Sequence, residues 1–172
     1  QKLGTIFLQL HARFGPNRMD KLTNFIESWP TKIPLAIEVR HPDWFSDETV
    51  SNELYTVLKE NKVANILVDT AGRRDMMHMR MSTPQPFVRW VGDNHPSDYD
   101  RIDEWVIRIG EWIEQGMSEL HFFVHQNLEK ESPLLSARLI SQLNEKFGYD
   151  IHIPGEPNSD EGLFAGVFCR IS

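Results

Sequence analysis

The sequence is poor in what several classes of function require. It holds one cysteine, Cys169, in 172 residues. That excludes an internal disulfide framework and fits a reducing, cytoplasmic setting. Without a histidine partner in sight along the chain, Cys169 is not expected to act as a nucleophile. No apolar run approaches the roughly 18 residues of a membrane span, and no basic stretch followed by an apolar one marks a signal peptide. G-x-S-x-G, P-loop and G-x-G-x-x-G patterns are all missing. So are the H-E-x-x-H and C-x-x-C spacings of common metal sites, and nothing marks a cofactor. Basic residues are outnumbered, 18 against 25 acidic, for a net charge of −7 and a pI near 5.5. Such a balance disfavours general nucleic-acid binding but leaves room for a local basic patch.

What remains is a globular composition, 40% hydrophobic, arranged as short strand-like runs that alternate with amphipathic helices. Strands are expected at Thr5–His11, Pro34–Arg40, Asn65–Asp69, Phe87–Val91 and Leu120–Asn127. Leu22, Phe25, Ile26 and Trp29 recur at helical spacing, and Pro30 ends that helix. Val50, Leu54, Val57 and Leu58 mark a second helix, for which Ser46 is the expected cap. Ile102, Trp105, Val106, Ile109, Trp112 and Ile113 form the clearest stripe, with Asp98 or Asp100 as its cap. A last helix carries Leu135, Leu139, Leu143 and Phe147. Its expected punctuation is Ser132 before Pro133 at the start and Gly148 at the end. The methionine-rich run from Met76 to Met81 reads as an adaptable core plug.

Strands separated by helices imply βαβ units and a parallel sheet. Parity along the strands then separates two faces. Leu35, Ile37 and Val39 oppose Ala36, Glu38 and Arg40. Ile6, Leu8 and Leu10 oppose Phe7, Gln9 and His11. Leu120, Phe122 and Val124 oppose His121, Phe123, His125 and Asn127. One face suits a helix layer, and the other turns polar toward the C-terminal end. A doubly wound sheet would be apolar on both faces, so an α/β barrel explains the asymmetry better. The expected fold class is therefore α/β, a partial (β/α)8 barrel with about five βα units. A whole barrel takes roughly 250 residues, so about three units are expected to precede Gln1. Residues 1–150 are read as the C-terminal portion of the barrel-like domain, and 151–172 as a tail or packing arm.

Four runs together resemble the YecE-like family, also called domain of unknown function seventy-two. They are Leu3-Gly4-Thr5-Ile6-Phe7-Leu8-Gln9-Leu10, Ala36 to Phe45 with its Glu-Val-Arg-His-Pro-Asp-Trp core, Phe87-Val88-Arg89-Trp90-Val91-Gly92, and Phe122-Phe123-Val124-His125-Gln126-Asn127. The resemblance covers about residues 3–150. It implies a TIM-barrel-like fold but brings no reaction with it. Its recurring polar positions correspond to Gln9, Glu38, Arg40, His41, Asp69, Arg89 and Asn127. The sequence departs from the family pattern at His11-Ala12, where a proline pair usually stands. It departs again at Trp90-Val91-Gly92, in place of a Leu-His-Gly type segment, and at His125-Gln126-Asn127, in place of paired asparagines.

The chemistry expected of these residues follows from their types. Glu38, Asp69 and His125 are the candidate catalytic groups, with the two carboxylates exchanging protons. Gln9, Arg40, Arg89 and Asn127 are the candidate substrate contacts, with the two guanidinium forks suited to a phosphate or carboxylate. The loop Gly92-Asp93-Asn94-His95 is a further candidate for anion binding. Two structural alternatives stand beside these: a Glu38–Arg40 salt bridge, and arginines satisfied by buried carboxylates. His11, Glu38, Asp69 and His125 are the only set suggesting a metal, of the mixed imidazole–carboxylate kind. The reading is a hydrolase or isomerase acting on a small anionic, phosphorylated or sugar-like, substrate. The alternative is a non-catalytic barrel binding a ligand, or nucleic acid through Arg73, Arg74, Arg80 and Arg89.

Overall fold

The computed structural model describes residues 4–73 and 77–154, and the backbone of 167–171. Arg74, Met76 and the tail residues 155–166 lie outside the described residues. The elements are β1 (Ile6–Gln9), α1 (Met19–Ser28), β2 (Leu35–Glu38), α2 (Asp43–Ser46), α3 (Glu48–Glu60), β3 (Ala64–Thr70), β4 (Phe87–Val91), α4 (Ser97–Glu114), β5 (Leu120–His125), α5 (Ser132–Phe147) and β6 (Val167–Ile171). Strands β1 to β5 are parallel, and among the described residues helices follow β1, β2, β4 and β5, an α/β fold of the partial (β/α)8 type. No helix among the described residues is long and apolar enough to cross a membrane.

The residues group into two compact units, 4–68 with 77–87, and 69–73 with 88–154 and 167–171. In the first, β1 and β2 pair in parallel with Gln9 beside Glu38, and β2 pairs with β3 through Ala36–Ala64 and Ile37–Asn65. Leu35 and Ile37 join Leu22, Ile26, Leu54 and Leu58 in its core. Parity thus places the helix-facing side of β2 as expected. Phe25, expected in the apolar stripe of α1, is instead 36% exposed and tilts against Trp29, which lies just beyond the end of the helix. Between β3 and β4 the described residues form no helix. Residues 80–82 are tied back to the strand instead. Ser82 Oγ donates to Val63 O at 2.7 Å, and Asn65 accepts from Ser82 N at 2.8 Å and donates to Arg80 O at 2.9 Å. Met77, Met79 and Met81 are half-buried there rather than core.

In the second unit, α4 buries Ile102, Trp105, Val106, Ile109 and Trp112, and α5 buries Leu135, Leu139 and Leu143. Burying side chains of this size is worth about 1.5–3 kcal/mol each. Gly148 ends α5 in the left-handed conformation at φ 72°, as its position suggests. Strand β6 pairs antiparallel with β5, from Leu120–Ile171 to Val124–Val167.

Three helix starts differ from the expected ones. Asp47 rather than Ser46 caps α3, accepting from Thr49 N at 2.7 Å and Val50 N at 3.3 Å, because Ser46 is already the last residue of α2. Ser132 is the first residue of α5 rather than its cap, and its hydroxyl donates to Glu129 at 2.7 Å. Asp98 lies inside α4 and folds back on the preceding loop.

Arg138 of α5 clasps Asp103 of α4 with two bonds, Nε to Oδ1 at 3.1 Å and Nη2 to Oδ2 at 2.8 Å, and Gln142 donates to the same carboxylate. The Arg138 hydrogen bonds hold the Asp103 carboxyl below its ordinary value. A carboxyl lowered by folding stabilises fully above its unfolded value of about 3.9, and that contribution fades as the pH falls through the folded value. Asp103→Asn should therefore melt below the wild type at neutral pH, with the gap closing below about pH 4. Parallel melts across that range check it.

Candidate functional site

Two groups of polar side chains stand out, one in each unit. In the first unit, parallel pairing sets Gln9 and Glu38 side by side at the C-terminal ends of β1 and β2. Glu38 is fully buried, and its Oε1 accepts from Gln9 Nε2 at 2.9 Å. Arg40 Nε lies 3.6 Å from the same oxygen, with its side chain 42% exposed. A buried carboxylate is costly unless hydrogen-bonded and paired, and Gln9 and Arg40 supply both. Because Arg40 is half-exposed, its charge is also open to a ligand.

The loops around this carboxylate are held by packing. Trp44 Nε1 donates to Phe14 O at 2.8 Å, and the two rings stack at 6.5 Å. Arg18 lies over Phe14 at 5.6 Å. The loops after β1 and β2 carry His11, Arg13, Arg18, Arg40 and His41 against Asp43, a local basic excess in an acidic chain. His11 Nδ1 is engaged by Arg13 N at 3.1 Å and His41 Nδ1 by Asp43 N at 3.2 Å.

In the second unit, Asp69 and the loop after β4 are both engaged by groups of the chain itself. Asp69 does not present a free carboxyl for proton exchange. It is fully buried against α4, with Oδ1 accepting from Arg101 Nη2 and Oδ2 from Trp105 Nε1, each at 2.7 Å. Arg101 also lies over the Trp90 ring at 4.5 Å and donates through Nη1 to Val91 O at 3.2 Å and Asp98 Oδ1 at 3.1 Å. Parity explains this placement. Asp69 shares its strand face with Leu67, and Arg101 and Trp105 sit four apart on the facing side of α4, with Asp98 one turn earlier.

The backbone amides of the loop after β4 are likewise taken internally. Gly92 N donates to His125 O at 2.9 Å. Asp93 N and His95 N donate to Asp98 Oδ2 at 2.9 and 3.2 Å, and Asn94 N to Gln126 Oε1 at 2.9 Å. Ser97 N, Asp98 N and Tyr99 N are also taken, by His95 Nδ1, His95 O and Pro96 O.

Arg101, Trp105, Asp98 and Gln126 were not expected as site-forming residues. Their signal was the parity of Asp69 and Gln126 against the periodicity of α4. Gln126 Nε2 reaches Asp98 Oδ2 at 3.1 Å, and Asn94 Oδ1 takes Leu128 N at 2.8 Å. The loops after β4 and β5 are thereby knotted together. Gly92 is required there, since an added Cβ would meet Gln126 Oε1 at 2.5 Å and Asp98 Oδ2 at 2.7 Å. Gly92→Ala should cost about 1–3 kcal/mol by forcing these groups apart, measured as a shifted urea midpoint.

The other expected residues, Arg89, His125 and Asn127, belong to the second unit. His125 Nδ1 is 3.3 Å from Glu129 Oε1, and Asn127 Nδ2 donates to Asp93 Oδ1 at 3.0 Å. Arg89 is half-buried on β4, at the parity opposite Trp90. Among the described residues no three His, Cys, Asp or Glu side chains gather as a metal ion would need.

Comparison with known proteins decides the family. The sequence model of a protein family of unknown function, DUF72, matches residues 1–158. The chain belongs to the DUF72 family. The UPF0759 protein YecE of Escherichia coli K12 is 25% identical over 130 residues, 64% of this chain and 48% of its own length. YecE of Escherichia coli O157:H7 gives the same figures. The chain thus spans about half the length of the curated relatives it matches. A DUF72 family protein from Enterococcus faecalis V583, solved at 2.52 Å, aligns with a TM-score of 0.69 at 16% identity, over 84% of this chain and 62% of that one. A 3.10 Å structure of that protein aligns with a TM-score of 0.60 at 16% identity, over 92% and 64%. At this identity the likeness shows the fold of the DUF72 chain and nothing of its chemistry.

Proposed function

We propose that this DUF72 chain contributes to an enzyme acting on a small anionic, phosphorylated or sugar-like, substrate, as a hydrolase or isomerase. Glu38 is its general acid/base, and Arg40 and Gln9 are its ligand contacts. The observation that carries this reading is the buried Glu38 carboxylate, bonded to Gln9 at 2.9 Å and flanked by a half-exposed Arg40 at 3.6 Å. The C-terminal end of parallel strands is where α/β barrels hold their reacting groups. The basic excess of the two adjoining loops supports an anionic ligand. Asp69 enters as the group that positions Arg101 and Trp105, not as a second proton carrier. The one cysteine is consistent with a cytoplasmic setting.

Proton exchange can be tested before the full reaction is known. Sugar phosphates and hydroxy acids incubated with the intact protein in D2O should include one that gains deuterium or turns over. Glu38→Gln should slow that by about 100-fold or more while its melting temperature stays near the wild type. Arg89→Ala, His125→Ala and Asn127→Ala are read in the same assay. Unchanged exchange in Glu38→Gln would remove the acid/base assignment. A melting temperature that collapses with unaltered ligand binding would make Glu38 a packing residue.

A further inference from the structure

We propose that a hollow in the second unit, between the first turns of α4 and α5, binds an organic cation: a primary amine or guanidine on an apolar stem. Its volume is about 400 Å³, and its apolar wall is made of Pro96, Tyr99, Leu128 and Leu135. Volumes of about 300–1,000 Å³ are typical of ligand sites. Tyr99 is 42% exposed and Leu128 57% exposed. Two large apolar side chains left open in one concavity are surface that a ligand would cover.

The polar side of the wall selects the charge. The backbone of the loop from Gly92 to Tyr99 offers an anion no donor, because each of its N–H groups already has an internal acceptor, and the His95 ring, whose Nδ1 accepts from Ser97 N, leaves only its Nε2 as a neutral donor at the wall. Asp98 is spent on Asp93 N, His95 N, Gln126 and Arg101. Arg101 and Arg138 are held by carboxylates, Asp69 and Asp98 for the first and Asp103 for the second. The charge left open at the wall is Glu131, whose side chain is 41% exposed and meets Lys130 Nζ only at 4.0 Å. Besides the spent Asp98, the stretch from Asp93 to Asp100 adds Asp93 and Asp100 and no lysine or arginine. A cation can therefore reach the Glu131 carboxylate while its stem covers Leu128 and Leu135 and its charge lies near the Tyr99 ring. The stem can belong to a free amine or to a lysine or arginine side chain of another protein, and the test separates the two.

The intact 15N-labelled protein is titrated with phenethylamine, with N-acetyl-lysine methylamide, and with 2-phenylethanol as the uncharged match. Saturable shifts confined to residues 94–99 and 128–135 are expected with at least one of the two amines and not with the alcohol. Tighter binding of phenethylamine supports a free amine, and tighter binding of the lysine derivative supports a protein side chain. Glu131→Gln and Tyr99→Ala should each weaken binding by about fivefold or more. Glu38→Gln should leave it unchanged, which separates this site from the proposed reaction. No saturable shift with either amine, equal binding of the alcohol, or undiminished binding in Glu131→Gln would overturn the proposal.

Discussion

Asp69→Ala is expected to lower stability by about 3–5 kcal/mol. The carboxylate is fully buried and serves two donors at 2.7 Å, Arg101 Nη2 and Trp105 Nε1. Its removal leaves the Arg101 guanidinium, 11% exposed, short of one of its two carboxylate partners. It also leaves a buried indole N–H without an acceptor. Asp69→Asn should recover little, since its amide can accept from only one of the two donors and turns an N–H toward the other. The double variant Asp69→Leu with Arg101→Met should cost less than the sum of its parts, because it removes the stranded charge as well as its partner. Urea unfolding measures all three. A loss under about 1 kcal/mol for Asp69→Ala, the range of exposed pairs, would show that the carboxylate is not the support described.

Trp44→Ala should be of similar size, about 3–5 kcal/mol, for a different reason. Trp44 is fully buried in the core of the first unit, and its Nε1 donates to Phe14 O at 2.8 Å. Truncation opens a cavity, frees the Phe14 carbonyl and releases the loop after β1 from the turn that follows Arg40. Trp44→Phe keeps most of the packing and loses the hydrogen bond, so it should cost roughly 1 kcal/mol for the bond plus a smaller packing loss. Equal effects of the two variants in urea unfolding would mean that the hydrogen bond, not the ring, carries the site.

Most of the fold was legible because burial obeys parity and helical period. Leu35 and Ile37, and the stripe from Ile102 to Trp112, announced their buried faces in the sequence. The family runs at residues 36–45 and 87–92 agreed with them. Parity put Gln9 and Glu38 on the polar faces of their strands and named the Glu38–Arg40 pair, but the hydrogen bond between Gln9 and Glu38 depends on the register of β1 against β2, which the sequence does not spell out. The place of Asp69 was not legible, because its type suggested chemistry while its strand position pointed it at α4. Nor was it legible that Asp98 would close the loop after β4, since that depends on how a side chain inside a helix folds back on backbone amides. Ser46 lost the cap to Asp47 for a local reason: the chain makes one more turn, α2, before α3 begins.

An anion held beside Glu38 by Arg40 is the centre of the proposed function. The most direct test is calorimetric titration of small sugar phosphates and inorganic phosphate into the intact protein, with Arg40→Ala beside the wild type. At least one saturable anion is predicted, weakened about tenfold or more in Arg40→Ala. Binding of equal strength in both proteins, or no binding in either, would contradict it.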